Sequence, residues 1–258
     1  MGLHRGTKMA LQGYIHQLES FGCADGPGSR FIIFFSGCPF RCLYCHNPDT
    51  WEMTRGKLYT ADELLNEAED CRDFWGKKGG ITVSGGEPLA QIDFLLELFT
   101  KAKERNINTC IDTAGGPFRK EGEWFEKFKK LMEVTDILLV DIKHINEDEH
   151  KKLTGQTGKN VREMFAYLDE IKKPIWIRHV LVPGITDNDE YLTQTRDFIR
   201  TLHNVERVEI LPYHGLAISK YKDLGIDYPL EKTESPTQER VEHARAILEC
   251  EKYTKWKE

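Results

Sequence analysis

The chain has 258 residues, of which 40% are hydrophobic and 30% are charged, and its formal net charge is −6. This composition is typical of a folded globular protein and excludes the disordered and fibrous classes. The negative charge disfavours nonspecific binding to nucleic acid, and no apolar run approaches the roughly 18 residues of a membrane helix, so we expect neither partner.

The first residues, 1–12, include basic side chains but neither the apolar stretch nor the cleavage site of a signal peptide. We interpret them as a flexible N-terminal tail, followed by a single domain at 13–258 without a linker or repeat. The expected location is the cytoplasm. The seven cysteines, an odd number, argue against a disulfide framework and favour reduced thiols.

Six apolar runs rich in β-forming residues follow along the chain. Their continuous apolar character predicts strands buried on both faces, as in a parallel sheet covered by helices. The predicted strands are Arg30–Phe35, Gly80–Ser84, Asn108–Asp112, Asp136–Asp141, Ile175–Val182 and Arg207–Leu211.

Amphipathic segments between these runs predict helices, and three of them carry start signals. Thr60-Ala-Asp-Glu63 is a capping box, Asp187-Asn-Asp-Glu190 resembles one, and Ser235 is a predicted N-cap ahead of a proline. A series of β-then-α units predicts an α/β fold, either a partial (β/α)6 barrel or a doubly wound sheet. The predicted helices are Thr60–Phe74, Gln91–Arg105, Glu121–Met132, Asn160–Ile171, Tyr191–Leu202 and one that opens at Ser235–Gln238.

Polar or glycine-rich residues follow directly after each predicted strand. In a parallel sheet or barrel the carboxyl ends of the strands share one face, where active sites are built. The sequence therefore predicts one site assembled from distant segments. These segments are Ser36–Cys38, Ser84–Pro88, Asp112–Thr113, Asp141–Lys143, Pro183–Gly184 and Pro212–His214.

Cys38, Cys42 and Cys45 have the spacing C-x3-C-x2-C, with which a short loop can direct three thiolates at one soft metal centre. A structural zinc site normally has four protein ligands, and His46 is poorly placed as the fourth because successive residues rarely reach one tetrahedral ion. The spacing favours an iron–sulfur cluster with one open iron over zinc or three free thiols. The other cysteines lack ligand-like spacing and are predicted to be small buried residues: Cys23, Cys71, Cys110 and Cys250.

The turn Ser84-Gly-Gly-Glu-Pro88 follows the second predicted strand. Its glycines allow a ligand to approach the backbone, and Glu87 offers an acceptor for an ammonium group. A tight turn leading into a helix explains the same residues when they are taken in isolation. Their position one strand after the cysteines favours ligand binding.

Charged residues at later strand ends extend the predicted site. Asp112 and Asp141 end neighbouring strands, so their carboxylates would need a cation or a proton between them. Arg178 and His179 interrupt an apolar strand, and one of the two is expected to face the interior beside a charged partner. Helix capping or surface ion pairing explains any one of these residues taken alone.

The cysteine spacing, with the aromatic Tyr44 before Cys45, resembles the signature of the radical S-adenosylmethionine enzymes. Asp25-Gly-Pro-Gly-Ser-Arg30, Tyr44–Trp51 and Asp141-Ile-Lys143 resemble, more specifically, the activating enzymes of glycyl-radical proteins. The resemblance extends from about Gly13 to about Leu216. It implies the radical SAM fold, a partial (β/α)6 TIM-like barrel, whose lateral gap would admit a loop of another protein.

The resemblance implies that a [4Fe–4S] cluster is held by Cys38, Cys42 and Cys45 and that S-adenosylmethionine binds its open iron. It also implies that Asp25 contacts the substrate peptide, and that a monovalent cation lies among Asp112, Thr113, Leu139 and Asp141. Ala114 departs from the family's Asp-Thr-Asn-Gly pattern, so no asparagine side chain is available there. The implied contacts of S-adenosylmethionine are Tyr44, His46, Gly85, Gly86, Glu87, Asp141, Ile142, Lys143, Arg178 and His214.

The implied reaction is the activation of a glycyl-radical enzyme. A reduced cluster cleaves S-adenosylmethionine, and the 5′-deoxyadenosyl radical removes hydrogen from a glycine of the partner, which is expected to be pyruvate formate-lyase. The expected electron donor is a flavodoxin or ferredoxin, and the chain is expected to be a monomer. The alternatives are a radical enzyme acting on another glycyl-radical enzyme or on a small molecule, or a noncatalytic iron–sulfur or zinc protein. An electron carrier would normally close its cluster with a fourth cysteine.

Overall fold

A computed structural model describes residues 10–257, which are organised around one eight-stranded sheet. The strands are β1 (Gln12–Gly22), β2 (Arg30–Phe35), β3 (Lys57–Thr60), β4 (Gly80–Gly85), β5 (Asn108–Thr113), β6 (Ile137–Asp141), β7 (Ile175–Leu181) and β8 (Val205–Pro212). The expected N-terminal tail falls almost entirely on residues 1–9, outside the described residues.

Eight α-helices connect and cover the strands in the described part of the chain. They are α1 (Ala61–Glu69), α2 (Ile92–Glu104), α3 (Gly122–Glu133), α4 (Glu147–Thr154), α5 (Lys159–Glu170), α6 (Asp189–Ile199), α7 (Ile218–Asp223) and α8 (Gln238–Ile247). No helix within residues 10–257 is both long and apolar enough to cross a membrane.

The strand order is β3-β1-β2-β4-β5-β6-β7-β8, and the six strands from β2 to β8 run parallel. β1 pairs antiparallel with β2, and β3 pairs antiparallel with β1. The edge strands β3 and β8 do not pair with each other, so the sheet is an open, partial barrel and the predicted (β/α)6 architecture is confirmed.

Alternate residues of the strands face two different environments. In β6, Leu138 and Val140 belong to the large apolar core under the helices, whereas Leu139 packs with Cys110 and Trp176 on the interior side. Because the side-chain period of a strand is two, the residues in register with that interior row point into the barrel. This alternation directs the polar residues at the strand ends toward one cavity.

The structure adds two strands, β1 and β3, and two helices, α4 and α7, to those predicted. β1 was missed although buried and more exposed side chains alternate along it, the pattern of a strand with one covered face. The helix predicted to reach Phe74 ends at Glu69, and a separate 3-10 turn follows it. Of the four cysteines predicted to be buried, Cys110 is buried, Cys71 and Cys250 are partly exposed, and Cys23 is exposed, so the prediction was wrong for Cys23.

Local capping chemistry sets where the helices begin. The predicted box at Thr60 is present: its hydroxyl accepts from the Glu63 amide and the Glu63 carboxylate accepts from the Thr60 amide. The other two predicted starts were wrong by one or two residues. Asn188 caps α6, and Thr237, not Ser235, caps α8.

Candidate active site

A cavity of about 210 Å³ opens at the carboxyl ends of the parallel strands. Its walls come from the loop after β2 and from the ends of β4, β5, β6, β7 and β8, as the sequence predicted. The predicted site residues that line it are Cys38, Cys42, Tyr44, Cys45, His46, Gly85, Gly86, Asp112, Thr113, Asp141, Lys143 and Arg178.

The cysteine loop is held against the end of α4. The backbone amides of Arg41 and Leu43 donate to the carbonyls of Thr154 and Leu153, at 2.8 and 3.0 Å. Those carbonyls lie in the last turn of the helix and lack intrahelical partners, so the loop satisfies them. The Arg41 guanidinium also donates to the Cys38 carbonyl at 2.8 Å. The loop is therefore positioned by contacts that do not involve its sulfur atoms.

The three thiols lie in a setting that suits a bound cation. Burial raises the pKa of each thiol above its ordinary value, that of Cys42 to about 11, while the nearby Lys143 opposes the rise at Cys42. Three thiolates would not persist here without positive charge beside them. Iron supplies that charge, and thiolate is the ligand that iron–sulfur clusters use. In chemical type, these three thiols therefore match the ligands of a cluster.

Gly85 lets the chain turn sharply at the end of β4. Its φ is +103°, and a Cβ atom would lie 2.6 Å from the Phe35 backbone nitrogen. The next residue, Gly86, donates from its amide to the Phe35 carbonyl at 2.8 Å, and a Cβ there would lie 2.5 Å from the Gly37 carbonyl oxygen. Only glycine fits this close approach between the two loops.

Replacing Gly85 with alanine should therefore displace the loop or destabilise the fold. The left-handed conformation alone costs on the order of 1–3 kcal/mol for a residue with a side chain, and the backbone clash adds to it. Urea unfolding of the metal-free protein measures the loss. Gly225→Ala is the matched control, because Gly225 also has a positive φ, +67°, but no heavy atom lies within 4 Å of its Cβ position. Equal losses in the two variants would contradict the clash.

Glu87 lies behind the glycines and is almost completely buried. Its carboxylate accepts from the Thr113 hydroxyl at 2.6 Å and from the amides of Ala114 and Leu89 at 3.0 and 3.1 Å. It is not among the cavity-lining residues. In this geometry Glu87 joins the loop after β4 to the end of β5. The contact predicted between this carboxylate and an ammonium group stays a prediction.

Burial raises the pKa of Glu87 from 4.5 to about 7. Between those values the folded carboxyl retains a proton that the unfolded chain has released. Its contribution to stability is therefore complete below about pH 4.5 and is lost as the pH rises through 7. Glu87→Gln has no carboxyl group to titrate, so the fall in its free energy of unfolding from pH 4.5 to 8 should be about 3 kcal/mol smaller than in the wild type. Urea unfolding of the metal-free protein measures this difference. The exposed change Glu239→Gln should keep the wild-type slope; the same slope in Glu87→Gln would contradict the assignment.

A largely buried cluster of charges lies at the cavity; Asp112, Asp141, Lys143 and Arg178 line it, whereas Asp25 does not. Arg178 lies 2.6 Å from Asp112, 3.9 Å from Asp141 and 4.0 Å from Asp25. Lys143 is 2.8 Å from Asp141. Burial works to raise the pKa of Asp141, but the charges of Lys143 and Arg178 prevail and hold it below its ordinary value. The cluster therefore places two fixed cations at the cavity.

The strand alternation predicted for Arg178 and His179 is visible here. Arg178 faces the cavity, while His179 is buried on the opposite face, where its ring nitrogens contact the carbonyl oxygens of Ile142 and Thr186 at 2.7 and 3.3 Å. Ile142 itself is buried in the apolar core and Leu139 in the barrel interior, so neither side chain lines the cavity.

The two predicted histidines contact each other beside the cavity: His46 lines it, whereas His214 does not. Their rings are stacked with centroids 4.2 Å apart, and His46 Nε2 lies 3.2 Å from the His214 carbonyl oxygen. The structure thus joins the loop after β2 to the loop after β8, as predicted from their positions after strands. Ser84 was not predicted as a site residue by itself, although it begins the Gly-Gly turn; its hydroxyl donates to Asp112 at 2.7 Å.

Comparisons with known proteins identify the family. The Radical SAM superfamily profile matches residues 32–196. The chain is 50% identical over 249 residues to the pyruvate formate-lyase-activating enzyme of Streptococcus mutans, covering 96% of this chain and 95% of that protein. It is 48% identical over 242 residues to the Listeria monocytogenes protein of the same name, covering 93% and 98%.

A solved structure agrees in fold. A radical SAM methyltransferase from Sphaerobacter thermophilus superposes with a TM-score of 0.62 at 18% identity, over 87% of this chain and 65% of that chain. At this identity the likeness concerns the fold alone. The profile and the close relatives go further: the chain belongs to the Radical SAM superfamily and, within it, to the family of the pyruvate formate-lyase-activating enzymes.

Proposed function

We propose that this chain activates pyruvate formate-lyase by generating a glycyl radical on it. The observation that carries the proposal is that one cavity is lined by three thiols, one buried and two partly exposed, by a backbone cradle of two glycines and by two largely buried cations. Relatives that are 48% and 50% identical to this chain carry the name of that activity, and the chain matches each of them over nearly its whole length. A noncatalytic zinc or electron-carrier protein would have no use for the cradle.

Cys38, Cys42 and Cys45 would hold a [4Fe–4S] cluster, and membership of the superfamily implies both this cluster and S-adenosylmethionine. When bound, the cluster supplies the electron that splits a carbon–sulfur bond of S-adenosylmethionine, so that hydrogen can be removed from a glycine of the partner. The chain's own residues bind, orient and shield the reactants.

The charge cluster would orient S-adenosylmethionine. Lys143 offers an ammonium to a carboxylate, and the backbone of Gly85 and Gly86 offers polar groups at close range. Arg178 lies between Asp112 and Asp141, so the acceptor groups stay in one position when a ligand arrives. Fixed charges in a largely buried site need little reorganisation during the reaction.

Tyr44, His46 and His214 would enclose the rest of the cofactor. Tyr44 is buried beside the cysteines, with the Lys143 ammonium 5.4 Å from its ring centroid. The stacked histidines offer flat surfaces against which an adenine ring can pack. Exclusion of water by these rings would protect a reactive radical from side reactions.

The residues predicted to contact the substrate peptide and a monovalent cation lie in or beside the charge cluster. Asp25 lies 4.0 Å from Arg178 and keeps 28% of its side chain exposed, so a peptide entering the barrel interior could contact it. The residues suggested for a monovalent cation have other partners: the Thr113 hydroxyl donates to Glu87, and Asp112 pairs with Arg178. The cation stays a prediction, as do the flavodoxin or ferredoxin donor, the monomeric state and the cytoplasmic location.

The test is anaerobic reconstitution with iron and sulfide, chemical reduction, and addition of S-adenosylmethionine and pyruvate formate-lyase. We expect 5′-deoxyadenosine and a glycyl radical seen by electron paramagnetic resonance. 5′-Deoxyadenosine without a glycyl radical would assign the chain to another substrate. Bound zinc without labile sulfide, and no cleavage, would refute the cluster itself.

A further inference from the structure

The chain leaves the sheet at the end of β6 through an unusual contact. The parallel ladder between β6 and β7 reaches the pair Asp141 and Arg178, and one more backbone bond joins the Ile142 amide to the Arg178 carbonyl at 2.9 Å. The Ile142 carbonyl oxygen has no backbone donor within residues 10–257; it lies 2.7 Å from Nδ1 of the His179 side chain. An imidazole therefore stands where a continuing ladder would place a backbone amide.

The two carbonyl oxygens around His179 decide which of its ring nitrogens carries the proton. The second nitrogen, Nε2, is 3.3 Å from the Thr186 carbonyl oxygen, and a carbonyl can only accept. Burial lowers the pKa of this imidazole, so at neutral pH it is uncharged and has one N–H. The shorter contact marks Nδ1 as the donor. The bond to Ile142 is also shielded from water, because only 2% of His179 is exposed.

The loop after β7 restricts the orientation of the His179 ring. The Thr186 hydroxyl accepts from the Val182 amide at 2.7 Å and donates to the Val180 carbonyl at 2.6 Å. Thr186 is itself buried, so its carbonyl forms a fixed wall beside Nε2. The ring held against this wall directs its N–H toward the end of β6. His179 thus joins the loop after β6 to the loop after β7.

The Ile142 carbonyl matters because of the residues on either side of it. Asp141 and Lys143 both line the cavity, while the Ile142 side chain packs in the apolar core. A carbonyl and the residue after it share one peptide plane, so holding the carbonyl sets the direction in which Lys143 leaves the backbone. The Lys143 ammonium then lies 2.8 Å from Asp141. His179 therefore acts on the cavity from the opposite face of the sheet, without lining it.

We propose that His179 is a positioning residue for Lys143: its hydrogen bond to the Ile142 carbonyl holds the lysine where the carboxylate of S-adenosylmethionine binds. The inference rests on the proposed function, in which Lys143 is the cation for that carboxylate. Lysine has a long, flexible stem, so a backbone that fixes its first atoms reduces the entropy lost when a ligand binds. A largely buried ion pair also depends strongly on good geometry.

The test compares two neutral amides at position 179 by their affinity for S-adenosylmethionine. The side-chain nitrogen of asparagine can replace Nδ1 and donate to Ile142, whereas that of glutamine reaches the position of Nε2. In the reconstituted, oxidised protein, His179→Gln should bind S-adenosylmethionine about tenfold more weakly than the wild type, the equivalent of one typical hydrogen bond. His179→Asn should bind it nearly as well as the wild type. Equilibrium dialysis measures both affinities without turnover. Equal affinities of the two variants, or the reverse order, would overturn the proposal.

Two further measurements separate positioning from a general loss of structure. In a Lys143→Met background, His179→Gln should have no additional effect on binding, because His179 acts through Lys143; a further loss of about tenfold would contradict this route. If His179→Gln does not fold, His179→3-thienylalanine takes its place: it keeps a five-membered ring without an N–H, and its binding should also weaken about tenfold. Unchanged binding in that protein overturns the proposal. A wild-type protein that takes up no cluster, or binds no S-adenosylmethionine, would refute the proposed function instead.

Discussion

Replacing Cys42 with alanine should abolish cluster assembly and, with it, all formation of 5′-deoxyadenosine and glycyl radical. Cys42 is the middle cysteine of the loop and lines the cavity, where its thiol is buried. Two remaining thiolates cannot hold three irons of a cluster whose fourth iron is already open. The measurements are iron and sulfide content after anaerobic reconstitution, and product formation by chromatography and electron paramagnetic resonance.

Cys23→Ala is the matched control for this change. Cys23 is an exposed thiol outside the cavity, so its loss should leave iron content and product formation at wild-type levels. The metal-free Cys42→Ala protein should remain folded, because backbone hydrogen bonds to α4 hold the loop. Full iron content and product formation in Cys42→Ala would show that it is not a ligand.

Replacing Arg178 with methionine should destabilise the metal-free protein by about 3–5 kcal/mol at pH 7, the usual cost of removing one partner from a buried ion pair. Only 12% of the Arg178 side chain is exposed, and it faces three carboxylates within 4.0 Å. Methionine fills a similar volume without charge, so Asp25, Asp112 and Asp141 would be left to repel one another. Urea unfolding measures the loss.

The pH dependence of that loss has a defined sign. In the wild type the pKa of Asp141 is held below its ordinary value, so its contribution to stability is present above the unfolded pKa and is lost as the pH falls through the folded value. Burial and the charge of Asp112 already raise the pKa of Asp25. Without the arginine, protonation relieves the repulsion, and the difference between variant and wild type should shrink from pH 7 to pH 5.

Arg245→Met provides the comparison for an exposed pair. Arg245 lies 2.8 Å from Glu242 on the surface of α8, and such pairs contribute little. Its replacement should change the stability only slightly, with no trend between pH 5 and pH 7. If Arg178→Met changed the stability as little as Arg245→Met, the charge cluster would not be stabilising the fold around the cavity.

Much of the active-site wall was predictable because the signals are local. The six parallel strands were recognised from continuous apolar runs, and polar residues at their ends had to share one face. β1 and β3 were missed for a related reason: they are antiparallel strands at or near the sheet edge with partly exposed faces, so they lack the continuous apolar character of the other six strands. The starts of α6 and α8 could not be placed to the residue, because capping residues one or two positions apart compete there. Backbone geometry decides which of them caps the helix.

The cysteine motif by itself predicted a soft metal site, because spacing within one short loop needs no tertiary information. What surrounds the sulfurs was decided only by the fold. Trp51 and Tyr221 are far apart in sequence, yet their rings meet, and Glu87 has the same sequence context whether its carboxylate faces the cavity or Thr113. Burial and hydrogen bonding depend on neighbours brought together by packing, so the tertiary structure alone assigns these groups their partners.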